Sequence, residues 1–202
     1  MFPPQPTVLA GDFVVLEPLQ ISHTSGLFEV LNSDVSIWDL RPIYPPKSFQ
    51  EMEELIKKDL EIQKNGSSLA FTQVERKSGE IVGSTSFMKI DVSNSTLEIG
   101  KTWITKHWQR TGINTEAKFL LLRHAFEILK VSRVQLRTDL RNLQSQAAIE
   151  RLGAIREGVF RKDLLIREGY FRDTVMYSIL SDEWHSIRER LTTLMQKKFA
   201  QR

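Results

Sequence analysis

The chain has 202 residues, with 28 Lys plus Arg against 25 Asp plus Glu for a formal net charge of +3, and no cysteine. This length fits a single domain, residues 1–202, able to bury its own core, and the composition, 41% hydrophobic and 26% charged, is that of a globular protein. The missing thiols exclude a disulfide framework, thiolate metal sites and a cysteine nucleophile, and so mild a basic excess calls for no nucleic-acid partner.

The leading segment MFPPQPTVLA lacks the basic residue and long apolar stretch of a secretion signal. No apolar run nears membrane-span length, so a cytoplasmic chain with no membrane partner is expected. Gly11 to Glu17 alternates as a first strand, and Pro18 stops it. Ser22 to Asn32 holds a short helix carrying Leu27, Phe28 and Leu31. Three prolines make Trp38 to Lys47 a loop. Ser48 then opens a second helix, with Glu51 completing a capping box, and Asn65-Gly66 ends it.

A meander follows. Leu69 to Glu75 and Glu80 to Ile90 form a hairpin around Lys77-Ser78-Gly79, and Leu97 to Thr105 adds a third strand. Gly100 within it marks a bulge or a close backbone approach. Gly112 to Lys130 is a long, mostly buried helix in which the charged residues Glu116, Arg123, Glu127 and Lys130 form one polar stripe. Arg133 to Asp139 alternates as a strand. Asn142 caps a helix that ends at Leu152, with Gly153 just beyond. Val159 to Leu165 and Arg172 to Leu180 pair around Glu168-Gly169. Ser181 caps a last helix with Ile187, Leu191, Leu194 and Met195, an apolar face suited to the core or to a homodimer. The order β-α-α-β-β-β-α-β-α-β-β-α describes an α+β fold with helices on the faces of a mixed sheet.

The junction of the third meander strand with the long helix is the richest in chemistry. A helix start leaves four N–H groups unpaired and carries about half a positive charge. With Gly112 allowing close approach and Thr111 or Thr115 offering a hydroxyl, the segment is a candidate cradle for a phosphate or pyrophosphate. The same features also describe an ordinary capped helix behind a tight turn. The chain has neither G-x-x-x-x-G-K-[ST] nor G-x-G-x-x-G after a strand, so phosphates here are held rather than split. The four histidines, His23, His107, His124 and His185, share no ligand spacing, and no metal is expected.

Gln109-Arg110-Thr111-Gly112-Ile113-Asn114 resembles the Q/R-x-x-G-x-G/A motif of the GNAT acyltransferases. WQRTGINTEAKFLLLRHAFE, RVQLRTDLRNLQSQAAIERLGAIREGVFR and RDTVMYSIL are similar to the RimJ/RimL-type branch of that superfamily, and the likeness runs from about Phe13 to Trp184. One position departs: Asn114 stands where Gly or Ala is usual, which leaves the backbone amides in place and adds a side chain at the pyrophosphate.

The resemblance implies a GNAT-like fold, a mostly antiparallel sheet with a V-shaped splay and helices on both faces. It also implies acetyl transfer from acetyl-CoA, as cosubstrate, to a primary amine in a ternary complex, without a metal. The pyrophosphate would sit on amides of Arg110 to Thr115, next to Gln109. The thioester carbonyl would meet a backbone N–H near Trp103 or Ile104, an oxyanion-type contact. Asn142 would touch the pantetheine arm. Ser145 would donate to the departing sulfur, since the tyrosine that many relatives use falls here at Ile149. Ser145 at the start of its helix also reads as an ordinary serine bonding the first turn.

An alkyl amine must lose a proton before it attacks, and Glu98 on the meander strand is the candidate base. The alternative is a solvated carboxylate paired with a neighbouring Lys or Arg. Trp38 and Tyr44 either line the acceptor slot or pack within their loop, and Arg167 to Arg172 of the last hairpin would form its other wall. The competing function on the same fold is a non-catalytic CoA-binding or sensory module.

Overall fold

The computed structural model describes residues 3–199, with side chains through residue 197. Met1 and Phe2 of the leading segment, and the last three residues of the expected 1–202 domain, lie outside the described residues. The strands are β1 (Leu9–Ala10), β2 (Val14–Pro18), β3 (Leu69–Glu75), β4 (Ile81–Asp91), β5 (Thr96–Ile104), β6 (Arg133–Asp139), β7 (Ile155–Leu165) and β8 (Phe171–Leu180). They make one sheet in the order β1-β2-β3-β4-β5-β6-β8-β7. Every neighbouring pair is antiparallel except β5 and β6.

That one parallel pair shapes the molecule. β5 and β6 are joined only at Thr96–Arg133, Leu97–Val134 and Glu98–Gln135. Beyond Glu98 the two strands part, which is the expected V-shaped splay. On the far side of β5 the register with β4 slips, two residues of β5 facing Thr85 alone between the Ser84–Trp103 and Ser86–Gly100 pairs. The left-handed residue of this bulge is Lys101, φ +50°, rather than Gly100. Gly100 is instead a place of close approach: a Cβ there would lie 2.7 Å from the Met88 sulfur and 3.2 Å from a Glu98 carboxylate oxygen.

Helices cover both faces. α1 (Thr24–Ser33) and α2 (Phe49–Lys64) bury Leu27, Leu31, Met52 and Ile56 against Ala70 and Trp103. α3 (Ile113–Arg123), α4 (Leu143–Leu152) and α5 (Trp184–Phe199) pack on the opposite face, over Leu97, Ile99, Val134, Leu136 and Tyr177. The apolar stripe of α5 turns inward through Ile187 and Leu191. Among the described residues no helix is long and apolar enough to cross a membrane.

Local signals account for most helix ends. Ser48 accepts the Glu51 amide at 3.2 Å, while the Glu51 carboxylate reaches the Lys47 amide at 2.8 Å. Gly153, at φ +100°, ends α4. α5 begins at Trp184, not at Ser181, because Glu183 takes the cap: its carboxylate accepts the Leu180 amide and its carbonyl accepts the Ile187 amide.

Three expectations change. The first strand is a small hairpin, β1 with β2, rather than one strand from Gly11 to Glu17. The long helix loses α-helical geometry at His124, where a π-helical turn runs to Ile128 with the Leu129 amide bonded to the His124 carbonyl. Glu116 is not on a solvated stripe. It is 4% exposed and its carboxylate accepts the amides of Asp12, Phe13 and Val14 at 2.7–2.8 Å. Gly11 permits this approach, since a Cβ on it would stand 2.3 Å from the Glu116 carboxyl carbon.

Candidate active site

The head of α3 lies directly after β5, beyond a short 3-10 turn at Lys106–Trp108. α3 starts without a side-chain cap. The amides of Arg110, Thr111, Gly112, Asn114 and Thr115 bond to no acceptor among the described residues. The Ile113 amide has only a long 3.4 Å contact to the Thr111 hydroxyl, which itself donates to the Trp108 carbonyl at 2.7 Å. Arg110 is left-handed, φ +62°, a backbone turn of the kind found in anion nests. Six residues in a row thus offer amides at the positive end of a helix. The Asn114 side-chain oxygen is buried with no partner. Such a donor set suits a phosphate or pyrophosphate.

Gln109 bridges the splay. It donates to the Ile104 carbonyl at 3.3 Å and accepts from Gln144 of α4 at 2.9 Å, tying the end of β5 to the helix that follows β6. At the head of α4, Asn142 accepts the Ser145 amide at 2.9 Å. The bond that caps this helix therefore uses the backbone of Ser145, and its half-buried hydroxyl bonds to nothing among the described residues. Ile149 is core, 7% exposed.

Glu98 is the last residue of β5 that pairs with β6. It is 2% exposed, so it is not solvated, yet it is paired: Arg137 Nε donates at 3.0 Å and Lys89 Nζ lies 3.3 Å away. Arg137 in turn sits 3.7 Å from Asp163. Leu97 and Ile99 point into the α3 side of the sheet, so Glu98 faces the other way. On that face α1 and α2 pack mainly on β4 and β3. A cavity of about 320 Å³ opens there, lined by Lys89, Arg133, Gln135, Arg137, Asp163 and Met176 among others. None of these was singled out from sequence, because they come from β4, β6, β7 and β8 and share no local pattern. Neighbouring charges fit the same network. Burial works to raise Asp139, but the guanidinium and amide of Arg141 hold its carboxyl below the usual range. Burial, helped by Arg137, pulls Arg172 down.

The two aromatics of the first loop separate. Trp38 is 1% exposed, edge-on to Trp103 at 5.3 Å with the Arg41 guanidinium 4.3 Å from its ring centroid, and it offers no wall to a substrate. Tyr44 is 58% exposed. Arg167 lies 5.5 Å from its ring centroid and donates to the carbonyls of Trp38 and Asp39, so this loop touches the β7–β8 connection. Three further polar side chains converge on the β5 bulge. Arg41 approaches the carbonyls of Lys101 and Thr102 at 3.4 and 3.5 Å, and Gln73 donates to the Trp103 carbonyl at 3.3 Å. Lys118 of α3 donates to the hydroxyls of Thr85, at 3.0 Å, and Thr102. Among the described residues no group of three or more side chains is arranged for a metal ion.

Residues 14–155 match the acetyltransferase (GNAT) domain family. YdaF of Bacillus subtilis (strain 168), provisionally named a ribosomal N-acetyltransferase, is 38% identical over 106 residues, 52% of this chain and 57% of that one. The ribosomal-protein-serine acetyltransferase of Escherichia coli (strain K12) is 23% identical over 179 residues, 87% of this chain and 97% of that one. The crystal structure of a GCN5-related N-acetyltransferase from Brucella melitensis superposes with a TM-score of 0.89 at 28% identity, covering 95% of this chain and 86% of that one. The matched segment runs from β2 to the start of β7 and so takes in the open amides, the splay and the bulge together: the chain belongs to the GNAT family and is an acetyl-CoA-dependent N-acetyltransferase.

Proposed function

We propose that the chain acetylates a primary amine that enters from the cavity beside Glu98, by direct attack in a ternary complex. The observation that carries this reading is the row of open amides at α3 set against strands that part at Glu98. Acetyl-CoA supplies the acetyl group as an activated thioester. Amides of Arg110 to Thr115, with Gln109 beside them, hold its pyrophosphate, and Asn142 reaches the pantetheine arm. The backbone at Trp103 and Ile104 binds the thioester carbonyl and stabilises the negative charge that grows on it. Ser145 donates its free hydroxyl to the departing sulfur.

Glu98 serves the acceptor. Its carboxylate, held by Arg137 and Lys89 beside the cavity, attracts the acceptor's ammonium group and takes the proton that group must lose before the neutral nitrogen can attack. Tyr44 and the Arg167–Arg172 segment border the entrance. The relatives named for ribosomal-protein acetylation make a polypeptide N-terminus the first acceptor class to test, ahead of small-molecule amines.

The test has two steps. Acetyl-CoA at a thousandfold above its Kd raises stability by about 4 kcal/mol, visible as a thermal shift. No shift at millimolar acetyl-CoA overturns the cradle. Free-thiol release is then followed with peptides bearing free or blocked N-termini and with small amines. Release that needs an unblocked amine supports the reading; binding without release on any amine supports the non-catalytic alternative.

A further inference from the structure

The bulge of β5 is a demanding piece of backbone. It places Lys101, a residue with a side chain, at φ +50°, and it stands where β5 has left β6 and so has no strand on that side. Such a conformation persists only when the surroundings over-determine it. Arg41 and Gln73 hold its carbonyls, and Lys101 itself is tied to Asp59 of α2 at 2.6 Å. The fourth contact comes from the opposite face of the sheet. Lys118 is 7% exposed, and its ammonium group pairs with no carboxylate among the described residues. It reaches only the hydroxyls of Thr85 and Thr102, which bond to each other at 2.9 Å. Thr85 is the single β4 residue opposite the bulge and Thr102 belongs to the bulge itself.

A lysine in a core without an acid is destabilising, and a methionine or leucine would fill that volume at lower cost. Burial pushes the amine down to about 7. Its position makes sense if the triangle does something that an apolar side chain cannot. We propose that Lys118 is a positioning residue for acetyl transfer: by gripping Thr102 and Thr85 it locks the β5 bulge, and so fixes the backbone that receives the thioester carbonyl. The inference rests on the proposed role of Trp103 and Ile104. Because Lys118 stands on the same helix whose head carries the open amides, one rigid element then sets both the pyrophosphate site and the carbonyl site.

Hydrogen exchange on the free protein, compared between wild type and Lys118→Met, tests the lock without any substrate. Exchange of amides 101–104 is expected to accelerate at least tenfold in the variant, with β8 and α5 unchanged. Steady-state kinetics tests the consequence: kcat falls at least tenfold while KM for acetyl-CoA stays within threefold. Thr102→Val gives the same pattern and replaces Lys118→Met should that variant not fold. Amides 101–104 exchanging at the wild-type rate in the variants overturn the lock, and accelerated exchange with unchanged kcat overturns the positioning role. A wild-type protein that binds no acetyl-CoA defeats the proposed function instead, while the exchange result still decides the lock.

Discussion

Two rows of consecutive backbone amides in this molecule are treated in opposite ways, and both involve α3. At the β1–β2 turn the amides of Asp12, Phe13 and Val14 all point at Glu116 of α3, whose carboxylate satisfies the three together. At the head of the same helix, the amides of Arg110, Thr111, Gly112, Asn114 and Thr115 meet no acceptor among the described residues. A buried N–H without a partner costs about 1–3 kcal/mol, so a folded chain fills such rows wherever it can reach them. Glu116 stands only four positions after Gly112, yet its carboxylate serves the distant row and leaves the near one open. An open row at a helix N-terminus is suited to an anion supplied from outside, which is the role proposed for it here.

The largest expected effect comes from emptying the filled row. Glu116→Ala removes one acceptor from three amides and is expected to destabilise the protein by about 3 kcal/mol or more, read as a lower urea midpoint with an unchanged m-value. A loss under about 1 kcal/mol would mean that water serves the amides equally well. Two residues further on, Lys118 gives the second test, since this buried charge has no counter-charge to match what Glu116 receives. Burial pushes its amine down to about 7 in the fold, against 10.5 for an ordinary lysine. Between those values the unfolded chain binds more protons. Wild-type stability therefore rises with pH from about 7 towards 10, by at most about 1.4 kcal/mol per pH unit. Lys118→Met is expected to flatten that part of the curve, and two parallel profiles would show that the amine is not desolvated.

These contrasts also mark what can be read from the chain. β6 was legible because Val134 and Leu136 alternate with Arg133, Gln135 and Arg137, and α4 because Asn142 and Gly153 stand at its ends with caps that act locally. The open cradle was legible because a motif of six consecutive residues carries it. β1 was not, since two residues have no period, and neither was the π-helical turn at His124, whose sequence differs in nothing from an α-helix. Glu116 was assigned to solvent because it is charged, when its partners lie a hundred residues away; the bare Gly11 was its only trace. Lys118 did leave a signal, as a charge off the polar stripe of an otherwise apolar helix. The cavity beside Glu98 left none, because Lys89, Arg137 and Asp163 meet only through the sheet order.

The comparison sharpens if the open row is given a carboxylate of its own. Asn114→Asp is nearly isosteric and sets a negative charge in the first turn of α3, next to the amides that Glu116 leaves open. Interaction with the helix dipole is expected to stabilise the free protein by on the order of 0.5 kcal/mol. The same charge repels a pyrophosphate, so the Kd for acetyl-CoA by calorimetry should rise at least tenfold. Unchanged affinity would show that the phosphates bind elsewhere.

The smallest expected effects separate a cap from a catalytic group at the head of α4. Asn142 closes that helix through the Ser145 amide, so the contrast with uncapped α3 is carried by one side chain. Asn142→Ala should cost about 1 kcal/mol in denaturant unfolding. Ser145→Ala keeps the amide and hence the cap, and on the proposed mechanism removes only the bond to the departing thiolate. Its stability should stay within about 0.5 kcal/mol of wild type while kcat falls, on the order of a hundredfold for the loss of a general acid. If Ser145→Ala instead loses stability and keeps turnover, the hydroxyl belongs to the fold, and the leaving sulfur takes its proton from another donor.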